Sequence, residues 1–174
     1  MKRAAQLSVV LPLLTLASCQ LSKPAGGPPA MPAFKGSAEF ERMKSLAGEW
    51  HGTGPMGPVE IEYKVSAAGS MIEERIFEDT PMEMLSTYYD EGGRLAMTHY
   101  CALHNRPKMK LVRSAADSLS FDFAPSPGIN PAKDRHMHSA KITFIDANHI
   151  RFEGSSWANG KPEPSCPPMV LTRR

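Results

Sequence analysis

The 174 residues include 20 Lys and Arg against 18 Asp and Glu, a formal net charge of +2. Without Lys2 and Arg3 the chain is about neutral, with its charges scattered. Such a chain offers no electrostatic footprint for nucleic acid and no charge-based hold on a membrane surface.

The chain opens MKRAAQLSVVLPLLTLASCQ. Lys2 and Arg3 precede an apolar stretch from Leu7 to Ala17. That stretch is shorter than the ~20 residues a membrane-spanning helix needs, and it reads as a secretory signal. Leu16-Ala17-Ser18-Cys19 resembles the lipobox of bacterial lipoproteins. The resemblance implies a signal peptide over residues 1–18, lipidation of Cys19 and a firm membrane anchor of several acyl chains. Gln20 follows the cysteine; by similarity to enterobacterial lipoproteins, this residue implies the outer membrane, facing the periplasm. Pro and Gly crowd the rest of 19–36, which reads as a flexible tether. Residues 37–174 are then one domain, long enough for a real core. With Cys19 assigned to lipid, Cys101 and Cys166 remain. An exported protein can join them, but their geometry is not legible in sequence.

SAEFERMKSLA, residues 37–47, predicts a short helix. Ser37 is its cap, and Phe40, Met43, Leu46 and Ala47 lie on one face. Beyond Gly48 the period becomes two. Val59, Ile61, Tyr63 and Val65 alternate with polar residues; Ile72, Glu74 and Ile76 share the next apolar face. Strands over 84–89 and 95–101 flank Asp90-Glu91-Gly92-Gly93, a hairpin loop. Further strands follow at 109–113, 119–123, 138–144, 150–157 and 169–173, joined by short turns and one longer loop, APSPGINPAKDR. About ten short strands without intervening helices predict an all-β fold, an antiparallel up-and-down barrel of about 8–10 strands. A barrel of that size encloses side chains or one small ligand.

SLAGEWHGTG resembles the entry to a calycin barrel, the superfamily of lipocalins, fatty-acid-binding proteins and nitrobindins. The resemblance implies that a short helix leads into Gly48-x-Trp50 and that a basic residue near the C-terminus packs on the indole. That residue is Arg173, or alternatively Arg174. A guanidinium on an indole face adds ~0.5–2 kcal/mol. The THYC, NRPKM and HMHS segments extend the similarity, over most of residues 40–174, to uncharacterised bacterial calycin-like proteins.

Strand parity nominates the site. Leu95, Met97, His99 and Cys101 share the more apolar face of their strand, opposite Tyr100. His136 and His138 share parity with Ala140, Ile142 and Phe144. Glu74 lies between two isoleucines on an inward face. Buried polar groups need partners, so Glu74, His99 and His138 are expected to satisfy one another, with Tyr100 or water, or to grip a ligand head group. His104 and Asn105 fall in the rim loop HNRPKM, His51 faces away from Trp50's side, and His149 is a solvated turn residue. The ligand-binding candidates are Glu74, His99, Asn105, Met109, His136 and His138. If a metal or haem is held, His99, His136 and His138 are its ligands. Met82, Met84, Met97, Met109 and Met137 read as core or pocket filling. No nucleophile elbow, phosphate-binding glycine loop or HExxH occurs, and His99–Cys101 lacks an orienting third group. No catalytic residue and no cofactor is assigned. The expectation is a membrane-anchored periplasmic lipoprotein that binds a small, partly hydrophobic molecule. Its alternatives are a metal- or haem-binding protein and a structural or interaction lipoprotein with a filled barrel.

Overall fold

A computed structural model describes residues 32–164 and 167–174. Residues 1–18, expected to be a signal peptide, residues 19–31 of the expected tether with Cys19, and Cys166 lie outside the described residues. Among the described residues no helix is long and apolar enough to cross a membrane.

One helix, α1 (Ala38–Lys44), precedes eleven strands. These are β1 (Gly48–Gly54), β2 (Gly57–Ser66), β3 (Met71–Ile76), β4 (Met84–Glu91), β5 (Arg94–Tyr100), β6 (Lys108–Ser114), β7 (Ser118–Ala124), β8 (His136–Phe144), β9 (His149–Ala158), β10 (Lys161–Pro162) and β11 (Met169–Arg173). Each of β1 to β8 pairs antiparallel with the next, and β9 returns through β11 to β1. The β8–β9 pairing closes the ring, so ten strands form the expected antiparallel barrel. β10 stands outside the ring as a short hairpin partner of β9. Asn159-Gly160 therefore turns the chain into β10 and not directly into the last strand.

The turns follow from backbone chemistry. Gly92 and Gly93 both have positive φ (60° and 78°), the requirement of a tight hairpin turn whose twist matches its strands. That turn sets the β4–β5 register, with Glu91 opposite Arg94 and Ser86 opposite His99. The helix ends earlier than the apolar pattern suggests, at Lys44. Leu46 and Ala47 continue as tighter turns, donating to Met43 O and Lys44 O, and so keep Leu46 buried.

The helix caps one end of the barrel. Phe40, Met43 and Leu46 enter the core beside Trp50, Ile61, Tyr88 and Leu171. Ser37 Oγ donates to Asp90 at the β4–β5 hairpin, and Arg42 donates to Ala115 O and Ala116 O in the β6–β7 turn. The Arg42 guanidinium also lies 4.1 Å over the ring of Phe144, at the end of β8.

Trp50 and Arg173 fasten this cap. The residues are cross-strand partners, and the Arg173 guanidinium lies 4.3 Å over the indole. Trp50 Nε1 donates to Leu46 O, while Arg173 donates to Ser45 O and Ala47 O. Carbonyls left without partners just past the helix are thereby satisfied by two side chains from β1 and β11. Arg174 instead forms ion pairs with Glu60 and Glu49 on the outer surface.

Candidate functional site

Antiparallel register places four polar residues side by side on neighbouring strands. Tyr63 opposes Glu74, Glu74 opposes Ser86, and Ser86 opposes His99. All four are buried, as is Tyr88. Glu74 accepts from Tyr88 Oη at 2.7 Å and from Ser86 Oγ at 3.0 Å. Ser86 Oγ is in turn 3.0 Å from His99 Nδ1. The Tyr63 hydroxyl is buried beside this carboxyl without a well-formed hydrogen bond among the described residues.

Burial sets the electrostatics. It raises the Glu74 pKa, opposed by hydrogen bonds from Tyr88 and Ser86 and by the nearby Tyr63 hydroxyl. Burial, reinforced by the Glu74 charge, holds the Tyr63 and Tyr88 hydroxyls well above their ordinary range. Burial lowers His99 to about 4, so its imidazole is neutral at physiological pH.

A second cluster occupies the start of β8. His136 is fully buried; its Nδ1 lies 2.8 Å from Asp134 O and its Nε2 3.1 Å from His138 Nδ1. His138 stacks on Trp157 with ring centroids 3.8 Å apart and planes 12° from parallel. Phe123 packs 4.5 Å from the His136 ring and 5.8 Å from the His138 ring. Burial first, then the His136 ring, lowers the His138 pKa against the opposing pull of Asp122.

Both clusters belong to the end of the barrel that the helix does not cap, since they follow the C-terminal half of β5 and the N-terminal half of β8. The rim there is built. Asn105 Nδ2 donates to Arg135 O, Lys108 N donates to Ser126 Oγ, and Asn159 N donates to Lys133 O. Arg135 and Ser156 both meet Glu163. Met109 is buried opposite Met97 on one side and Phe123 on the other.

The structure divides the nominated residues. Glu74 and His99 join in one network, with Ser86, Tyr88 and Tyr63 as the partners that sequence reading missed. His136 and His138 join each other in a second, with Trp157 and Phe123. The set His99, His136 and His138 is thus not one metal site: three strand-to-strand steps separate β5 from β8. Among the described residues no three His, Cys, Asp or Glu side chains are placed to hold a metal ion. The mutual network of Glu74, His99 and His138 is corrected likewise, and Tyr100 takes no part because it points outward, 42% exposed. A β-bulge between Met137 and Ser139 interrupts the alternation of β8, leaving His138 half-buried. Cys101 falls just past β5 and is half-buried. His149 is not simply solvated; its Nδ1 lies 2.9 Å from the Asp146 carboxylate.

No family model and no curated protein matches the chain. Solved structures do. A protein of unknown function from the DUF3598 family of Nostoc punctiforme aligns over 86% of this chain at 14% identity with a TM-score of 0.52. The chain spans only 53% of that protein's length. Rv2717c of M. tuberculosis aligns over 80% of this chain and 99% of its own length, at 11% identity and a TM-score of 0.51. At these identities the likeness shows the fold alone. Together with the closed ring of strands, it fits a calycin-like barrel.

Proposed function

We propose that this protein is a lipid-anchored envelope protein that binds one small, partly hydrophobic molecule at the uncapped end of its barrel. The observation that carries the reading is the composition of that end. Phe123, Trp157, Met109 and the His136–His138 pair belong to that end, where Asn105 donates through Nδ2 to the carbonyl of Arg135, the residue before His136, and its buried Oδ1 has no hydrogen-bond partner among the described residues. A buried polar atom without a partner is costly, about 1–3 kcal/mol, and a ligand group relieves that cost. Aromatic and methionine surface supplies the apolar contact that small-molecule sites use.

The anchor is proposed from the Leu16–Cys19 segment and belongs to the same reading: a tethered barrel samples molecules close to the membrane surface. Native mass spectrometry with metal analysis, on protein purified from its own envelope, tests the binding reading. A co-purifying organic mass supports it; a clean apo mass favours a filled barrel that meets only other proteins. Separately, Cys19→Ala should release the protein from the membrane fraction, and retention there would refute the anchor.

A further inference from the structure

We infer that a groove beside α1, at the capped end, takes the phosphate of an anionic lipid headgroup between Arg94 and Arg113, and so turns that end of the barrel to the membrane. For the source of the phosphate this rests on the anchor reading above, to which it adds a second, non-covalent contact.

The groove has a volume of about 170 Å³, and its lining includes Glu39 of α1, Gly93 and Arg94 at the β4–β5 turn, and Arg113 and Ser114 at the end of β6. Local structure places both arginines there. Arg94 directly follows Gly92-Gly93. On β6, Met109 is buried and Leu111 packs on the core, so strict alternation would send Arg113 inward as well. The bulge between Leu111 and Arg113 breaks that alternation and leaves Arg113 exposed. Both walls are tied to the helix segment. Ser37 donates to Asp90 just before the β4–β5 turn, and Arg42 donates to Ala115 O and Ala116 O just after β6.

Neither lining arginine is neutralised. Glu91 opposes Arg94 in register, yet its carboxylate lies 3.7 Å from Lys108 Nζ. Arg113 opposes Ser120, which carries no charge. Among the described residues neither guanidinium has an ion pair or a hydrogen bond. Glu39 is the one carboxylate in the lining, and Arg42, three residues on, bonds to carbonyls and keeps its own positive charge. Two guanidinium forks present paired N–H donors that match phosphate oxygens. The chain is about neutral overall, so the attraction is local.

The position of the groove names the source of the phosphate. The described chain begins at Pro32 and reaches α1 through Gly36 and Ser37, which donate to Glu41 and Asp90. Residues 19–31 therefore join the barrel at the groove's own end, and a lipid on Cys19 brings headgroups to it.

Vesicle co-sedimentation of the full chain carrying Cys19→Ala, at about 0.02 M salt where surface charge is little screened, tests the contact. The chain should bind phosphatidylglycerol-containing vesicles at least about tenfold more tightly than phosphatidylcholine vesicles, and glycerol 3-phosphate should compete. Arg94→Gln/Arg113→Gln should abolish that preference. Lys64→Gln/Lys161→Gln, the same change of charge at exposed sites outside the groove, should keep it. Equal binding to the two vesicle types, or equal loss in the two double variants, overturns the inference. Arginine-dependent binding of glycerol 3-phosphate without any vesicle preference overturns the lipid as the source. Failure of Cys19→Ala to leave the membrane fraction at physiological salt overturns the anchor reading instead; release there, with no vesicle preference, overturns the groove alone.

Discussion

At the scale of single residues, Glu74 and His99 make opposing contributions to stability against pH. The folded His99 pKa, about 4, lies below its ordinary value of 6.5. The unfolded chain therefore binds more protons between those values, and stability falls as pH falls through that window. Glu74 is shifted upward by burial, so there the folded chain binds more protons and stability falls as pH rises through its window. Glu74→Gln removes the second effect. Urea denaturation as a function of pH should show a steeper loss of stability between about pH 6.5 and pH 4 in Glu74→Gln than in wild type; an unchanged slope would mean that the two groups do not titrate as described. Tyr88→Phe deletes a donor to the Glu74 carboxyl and should cost about 1–3 kcal/mol in the same assay at neutral pH. Glu74 and His99 were legible as inward-facing because their strands alternate. Ser86 and Tyr88 were not, because Met84-Leu85-Ser86-Thr87-Tyr88-Tyr89 mixes apolar and polar residues on both faces. Counting back from the Gly92-Gly93 turn pairs Ser86 with His99 and Tyr88 with Met97, so register carried the information that composition hid.

At the scale of elements, the helix and the last strand are one device. Arg173 ties the helix terminus to β11 through two carbonyls and the Trp50 face. Arg173→Ala should destabilise the barrel by about 1–3 kcal/mol, whereas Arg174→Ala, which removes only surface ion pairs, should stay within about 0.5 kcal/mol. Equal losses in the two variants, measured by urea midpoint, would contradict this division of labour. The β4–β5 hairpin is sensitive at Gly92 and Gly93, which both hold positive φ; Gly93→Ala should cost about 1 kcal/mol. Strand edges, tight turns and the GxW entry were legible because each has a local chemical cause. The bulge in β8 was not, because an inserted residue leaves no mark in HMHSAKITF, and with it went the simple inward placement of His138.

At the scale of the whole molecule, closure of the ring gives the barrel two unlike ends. One is sealed by the helix, Trp50 and Arg173; the other is ringed by Asn105, the 125–135 loop and Trp157, with two histidine-containing networks beneath. Short local connections made the barrel legible from sequence. Convergence across β5 to β8 was not, since it depends on how many strands separate two inward-facing residues; the three histidines share an end and no common centre. The most direct test of the central claim compares native mass spectra of wild type, Trp157→Ala and His138→Ala, each purified from the same envelope fraction. The account predicts an organic adduct on wild type that is reduced at least about tenfold in occupancy in both variants. An adduct retained at equal occupancy in both, or absent from wild type, would contradict it.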